Sequence, residues 1–555
     1  MEKRTVLFLV LSLGILLLYP LFLKVVGLET PARQAAPPAA VTEGPPAEAP
    51  PEAAPAPPAR PVPAPPAPAA AAPAPAPVPE AGEALEIPVE TDLYRATLST
   101  RGGVITRWEL KRYFDDDHTT PVELLRPPDQ GRPEFPLAVT VDGAPGFDTG
   151  VWHADRRAVR VTGSATQSLR LSRTDPATGA TLVKTLTFHG DHYTVDVVVD
   201  PGTSGRGFTL SLGSNFGIRK WGIANIGFVG TATLVDGDVH REKTKKLVEE
   251  PVVRQGNVTW TVTEDKYFLA ALLPKTAPES VTSQAFAKEH VVTRVAAGGG
   301  GPAAYTLYAG PKDYERLKSL DANLQENIDF GWFMFGSWAF VRLLAEPMFV
   351  LLTMIDRFVG NYGVSIILLT LLIKTVFIPL THKSYKSMRA MQAIQPQVKH
   401  IQEKYKGNKE KLSKETMALY KQHQINPLGG CLPMFIQIPF FIAFFNILYT
   451  SIELRHAPFY AWITDLSAKD PYYILPVIMG VSMFVQQKIQ PTTMDPKQAR
   501  IMMFLPVIFT FFFMNFPAGL VLYWLFNNLF TITQQFVTVR VLEKKRPVTV
   551  PSKAG

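Results

Sequence analysis

A chain of 555 residues with 46% hydrophobic content and a mean hydropathy of +0.07 is too apolar to be one soluble domain, and its length allows two or three folding units. Its single cysteine, Cys431, excludes an intramolecular disulfide, and no CxxC or Cys/His metal spacing is present. The net charge of +8 invites a nucleic-acid reading, but Lys and Arg cluster beside the apolar runs, where membrane orientation puts them, so DNA is not an expected partner.

The chain opens with Lys3 and Arg4 and continues as an apolar run, Thr5–Val26, without a small-x-small cleavage site. This predicts an uncleaved transmembrane anchor over 1–28 with its amino end in the cytosol. Residues 29–84 are Pro and Ala with a few charges, a composition that builds no core and makes an extended tether. From 85 to 327 the pattern changes to short alternating runs such as Thr181–Phe188 and Tyr193–Val199, which predict a large all-β sandwich followed by a linking segment. His189 and His192 frame a Gly-Asp pair between those runs and read as a hairpin turn rather than a metal site.

Residues 328–358 carry Trp332, Phe333, Phe335, Trp338 and Phe340 among charges at Arg342, Glu346, Asp356 and Arg357, the pattern of an amphipathic helix lying along a membrane surface. Five apolar segments follow, at about 359–380, 431–450, 472–488, 501–516 and 518–538, and predict a polytopic α-helical core over 359–540. The third and fourth are short for a bilayer of about 30 Å, so the membrane beside them is expected to thin. Between the first two lies the most basic stretch, 381–428, with Lys383, Arg389, Lys399, Lys404 and Lys414 among its cations, which belongs in the cytosol. Its apolar residues Met388, Met391, Ile394, Val398, Ile401 and Tyr405 recur at helical steps before a Gly407-Asn408 turn, predicting a charged helical hairpin that ribosomal RNA or acidic lipid would attract. Counting from that loop puts the β domain and 451–470 outside and the basic tail, 541–555, in the cytosol.

Lys374 stands inside the apolar run Val364–Pro379, where a charge near the centre of a membrane helix costs about 2.5–3.5 kcal/mol. Either its stem snorkels toward the cytosol, or the helices surround a water-filled space. Catalytic signatures are missing: no GxSxG, HExxH or P-loop, and no intramembrane Ser/His or paired Asp arrangement. The polar residues in the spans, Thr370, Lys374, Gln486, Gln487, Asn515, Asn527 and Asn528, suit wetting and hydrogen bonding better than bond-breaking. Neither enzyme activity nor a cofactor is expected. A secondary transporter also keeps polar residues at depth, but five unequal spans without visible repetition speak against it. A membrane-anchored periplasmic carbohydrate-binding protein is the other alternative.

The motifs Phe358-Val-Gly-Asn-Tyr-Gly363, Pro379-Leu-Thr381, Asn426-Pro-Leu-Gly-Gly-Cys-Leu-Pro433, Asp470-Pro-Tyr-Tyr-Ile-Leu-Pro476, Pro491-Thr-Thr493 and Pro517-Ala-Gly-Leu-Val-Leu-Tyr523 resemble those of the YidC membrane protein insertase family, in its Gram-negative form. The resemblance implies a bacterial inner-membrane protein whose five-helix core forms a groove open to cytosol and lipid and closed toward the periplasm. It implies a positive charge in the first core helix, arginine in most relatives and Lys374 here, and lysine lacks arginine's two-pronged fork. Gln487, Tyr523 and Trp524 match positions that face the groove or touch substrate in the family, and Thr370 joins them in the predicted groove. The implied partners are nascent membrane proteins, the Sec translocon, the ribosome and membrane lipids. The family's β domain looks like a carbohydrate-binding sandwich, yet no sugar site carries over.

Overall fold

The computed structural model describes residues 83–126, 133–144, 146–176, 178–202, 205–218, 228–287, 290–328, 330, 339–425, 432–489 and 496–545. The anchor over 1–28, nearly all of the linker, Trp332, Phe333, Phe335, Trp338, Cys431, the 491–493 motif and the tail from Arg546 lie outside the described residues.

Alternation builds the β region. In Thr181–His189 every second side chain, Leu182, Lys184, Leu186 and Phe188, points into the core, and Thr194–Asp200 buries Val195, Val197 and Val199 on the same face. The two strands pair antiparallel with Phe188 opposite Val195. His189 and His192 flank the hairpin, bonded to Asp196 at 3.0 Å and to Asp191 at 2.6 Å. They lie in the middle of a nine-stranded sheet that runs from Asp238–Lys243 at one edge to His153–Ala154 at the other. Two five-stranded sheets complete the fold, and residues of all three sheets share one apolar core. Trp108 and Tyr94 stack at 4.1 Å within it, with the Phe216 ring edge-on to Trp108. The sandwich expected from the sequence is present, carrying short helices α1 (Thr244–Glu249) and α2 (Tyr314–Lys318).

The remainder is helical. Helix α3 (Ala339–Val359) buries Val341, Ala345, Met348, Phe349 and Leu352 while exposing Glu346 and Arg357, an amphipathic arrangement that also leaves Leu343 and Phe358 uncovered. Gly360 at φ +67 ends it, and Asn361 caps α4 (Tyr362–Val376) by accepting from the Val364 amide at 3.1 Å. Gly363 admits no side chain, since a Cβ there would lie 2.1 Å from the Phe459 ring.

Helix α4 stops at Val376, short of the expected segment end near 380, and turns through 61° into α5 (Ile378–Ala393). Pro379 explains the break: it fits the first turn of a new helix but not the interior of a continuing one. Pro396 repeats the device, so α6 (Gln395–Lys404) starts after Ile394. Helix α7 (Lys409–Gln422) then returns, capped by Asn408, and Ile394, Val398 and Ile401 pack against Leu419 and Tyr420. The basic hairpin is thus an α5–α6 arm with α7 folded back on it. Helices α8 (Leu432–Thr450), α9 (Ile474–Ile489), α10 (Pro496–Phe513) and α11 (Ala518–Lys545) follow the remaining apolar segments. Among the described residues no single helix is long and apolar enough to cross a membrane alone, while the bent α4–α5 pair passes that test together.

The 451–470 loop closes one end of the helices. Asp470 caps α9 through the Leu475 amide at 2.7 Å and accepts from the Trp462 indole at 2.9 Å. The amides of Ala518 and Gly519 bond the loop carbonyls of Ala468 and Leu466 at 2.7 and 2.9 Å.

The same end meets the β region. Arg455 bonds the Phe114 carbonyl and Asp116, Tyr314 donates to Glu346 at 2.5 Å, and the Lys266 ammonium sits 3.7 Å over the Tyr449 ring. Burial pushes the Glu453 carboxyl at this junction up to about 8 and the Lys266 ammonium down to about 7. Folded Glu453 therefore holds a proton that the unfolded chain releases near pH 4.5, so its contribution falls as pH rises from there to about 8. The fall is at most about 1.4 kcal/mol per pH unit. Lys266 has the opposite sign in a later window, because above pH 7 the unfolded chain keeps the proton that the folded one has lost. Thermal unfolding of Glu453→Gln is expected to lose the decline between about pH 5 and 8, and an unchanged profile would refute this assignment.

Candidate functional site

The unusual lysine has neutral company. Lys374 is 9% exposed, and its Nζ donates to Thr531 Oγ1 at 2.9 Å and approaches Gln437 Oε1 at 3.4 Å. Gln437 in turn donates to Asn527 Oδ1 at 2.8 Å. No carboxylate pairs with Lys374 among the described residues. The ammonium therefore keeps an uncompensated charge held only by amide and hydroxyl dipoles, a costly arrangement in a dry bundle and a tolerable one beside water.

A partly open pocket adjoins this network, with about 430 Å³ of non-protein space when the open solvent at its mouth is counted. Helix α4 and the bend contribute Thr370, Ile373, Lys374 and Phe377, α5 contributes Thr381, α8 contributes Gln437 and Phe440, and α11 contributes Tyr523 and Asn527. Local geometry explains who faces it. Thr370 and Lys374 are one helical turn apart, and so are Tyr523, Asn527 and Thr531 on α11. The bend at Phe377 splays α5 away from the axis of α4 and leaves the lower wall of the pocket to Thr381.

Of the predicted groove residues, Thr370, Lys374 and Tyr523 line this pocket, whereas Gln487 and Trp524 do not. Trp524 is one residue beyond Tyr523, about 100° around the helix, and packs into an aromatic cluster with Phe441, Phe513 and Phe509 at 4.8, 5.0 and 6.0 Å. Gln487 lies half-buried on α9, its Oε1 without a hydrogen-bond partner among the described residues. Gln437 and Thr531 were missed in the sequence, although the Tyr523, Asn527, Thr531 spacing of four was a legible polar stripe. In the hairpin, Lys383, Lys399, Lys404 and Lys414 are exposed and Arg389 is half-buried.

The pocket presents donors, acceptors and one cation without a nucleophile–base pair, so it can solvate and attract polar groups. Comparison with known proteins places both halves of the chain. Residues 354–545 match the family model described as 60Kd inner membrane protein, and residues 86–351 match that of the YidC periplasmic domain. The membrane protein insertase YidC of Geotalea daltonii is 39% identical over 476 residues, covering 83% of this chain and 88% of the relative. That of Syntrophus aciditrophicus is 39% identical over 573 residues, covering 97% of this chain and 99% of the relative. Among solved structures, an active YidC insertase with its first transmembrane domain resolved aligns with 84% of this chain and 94% of its own, at 17% identity and a TM-score of 0.34.

Proposed function

The chain belongs to the membrane protein insertase YidC family, and from that premise we propose that it inserts nascent membrane proteins into the bacterial inner membrane through the pocket around Lys374. A polar segment of the nascent chain enters the pocket while its apolar helix moves along the lipid-facing side into the bilayer. The observation that carries this reading is the pocket itself: a buried ammonium with only neutral partners, beside empty space lined by Thr370, Gln437, Tyr523 and Asn527.

The mechanism is a lowered desolvation barrier. Polar groups in hydrocarbon cost several kcal/mol each unless satisfied, so a hydrated site part-way across shortens the dry distance they travel. Burial of the substrate's own apolar helix then supplies the driving force, and no nucleotide is needed. Helices α4, α8, α9, α10 and α11 are read as a five-helix core. The 451–470 loop, docked on the ends of α9 and α11, is the periplasmic seal, and α3 is read as an interfacial helix. In this orientation both termini and the hairpin are cytosolic, and the β domain is periplasmic. The exposed cations Lys383, Lys399, Lys404 and Lys414 form a surface suited to ribosomal RNA or acidic headgroups, with the Sec translocon as a lateral partner.

Photocrosslinking during translation tests the site. A photoreactive residue replacing Thr370 or Phe440 is expected to capture a nascent single-span protein, and one replacing Trp462, in the sealing loop, is not. Equal capture from all three positions would overturn the assignment of the pocket as the substrate path.

A further inference from the structure

Three side chains that no feature of the insertion pocket uses meet where the β region touches the 451–470 loop. His118 sits in the turn between strands Val104–Phe114 and Pro121–Glu123, and His456 and Asp465 come from the loop that follows α8. One ligand atom from each lies within 4.8 Å of the other two. The imidazole rings face each other with centroids 3.9 Å apart, and Asp465 Oδ2 approaches His456 Nε2 at 3.9 Å. Asp465 Oδ1 is already oriented, accepting from the amide and hydroxyl of Ser467, both at 2.7 Å, which leaves Oδ2 turned toward the histidines.

Two observations argue against ordinary surface packing. Both histidines adopt left-handed backbone conformations, at φ +59 and +57, in turns that aim them at each other across the junction. Such conformations are uncommon for residues with a side chain and cluster where the surrounding structure holds them for a purpose. Neither imidazole has a hydrogen-bond partner among the described residues. Two imidazoles without protein hydrogen-bond partners beside an oriented carboxylate make a donor set rather than a finished network.

We propose that His118, His456 and Asp465 bind a divalent transition ion of the zinc class, and that the ion staples the β region to the 451–470 loop. Two imidazoles and a carboxylate are the nitrogen and oxygen ligands that such ions take, in contrast to the all-oxygen sets of Ca²⁺ and Mg²⁺. Metal–ligand bonds of about 2.0–2.1 Å in a tetrahedron place donors about 3.4 Å apart, so binding draws these three together by ~1 Å, within reach of side-chain rotation. The exposed His118 leaves the fourth position to water. Arg455 and Lys266 add positive charge nearby, but Arg455 is engaged by Asp116 and the Phe114 carbonyl. The ion therefore acts in parallel with that existing salt bridge, tying together the same two segments.

Equilibrium dialysis of the full-length purified protein against Zn²⁺, after chelator treatment, tests the site. Wild type is expected to retain one more equivalent than His118→Ala or His456→Ala, with affinity at that site falling more than roughly 100-fold, beyond the loss typical of outer-shell changes. His192→Ala, on a separate hairpin, serves as the surface-histidine control and is expected to match wild type. Zn²⁺ should raise the melting temperature of wild type and leave that of His118→Ala unmoved. Because His118 is exposed, its replacement removes a ligand without emptying a core position. Equal stoichiometry and affinity in wild type and His118→Ala would overturn the proposal.

Discussion

Replacing Lys374 by leucine is expected to cut insertion of a substrate with acidic residues in its translocated segment by ten- to thirty-fold, while arginine keeps it within about two-fold. The magnitude follows from Coulomb's law. At an effective dielectric of about 20 and a separation of ~8 Å, an ammonium attracts a carboxylate by about 2 kcal/mol, roughly thirty-fold in occupancy. Leucine forfeits that attraction and also strips Thr531 and Gln437 of the donor they now face. Arginine keeps the charge, and the open side of the pocket gives its larger head room. Protease protection of a newly made single-span protein reads the outcome. A substrate whose translocated segment lacks acidic residues should respond much less, because the attraction then has no partner. Equal insertion by the leucine and arginine variants with the acidic substrate would remove the charge from the mechanism.

How much of this site could be read in advance follows from what kind of signal each part leaves. Lys374 was legible because a cation in an apolar run is improbable without a reason, and Tyr523 because it lies in a motif. Their common pocket was not, since Gln437, which lines it, and Thr531, which holds the Lys374 ammonium beside it, are single polar side chains whose meaning depends on which helices become neighbours. The separation of Trp524 from Tyr523 is plain helical geometry, obscured because the family resemblance assigns both neighbours to the groove together. The bend at Phe377 was hidden for a different reason. Hydropathy runs unbroken through Val376, and only the later Pro379 marks where one helix must yield to another. The β region was readable through its period of two, which also placed the hairpin at His189. The His118, His456 and Asp465 cluster left no local signal at all, because its members belong to two different domains of the sequence.

That same period of two hides the largest expected stability effect. In Thr181–His189 the inward phase includes Lys184, which is fully buried. Its ammonium donates to three carbonyls, Gly102 at 3.1 Å, Gly103 at 2.5 Å and Leu137 at 2.9 Å, and lies 4.2 Å over the Trp152 ring. Three donors meet three acceptors, so nothing in the arrangement is left over. Gly102 and Gly103 can turn both carbonyls inward because they adopt φ +76 and +58, and a Cβ on Gly103 would lie 3.0 Å from the Lys184 nitrogen. Lys184→Met keeps the length of the side chain and removes every donor, leaving three buried carbonyls unsatisfied at about 1–3 kcal/mol each. Partial rearrangement of the turn reduces the sum, and a loss of about 3–5 kcal/mol is expected at pH 7, read by urea unfolding of the full chain. The pH dependence gives a second readout. Burial pushes the Lys184 ammonium down to about 7 from 10.5, so above pH 7 the unfolded chain binds the proton that the folded chain has released, and wild-type stability rises toward pH 10. The slope from each such group is at most about 1.4 kcal/mol per pH unit. Lys266 titrates in the same window, so the methionine variant should show about half the wild-type rise rather than none. A variant within 1 kcal/mol of wild type at pH 7 and with the full rise above it would mean that water, and not the lysine, satisfies those carbonyls.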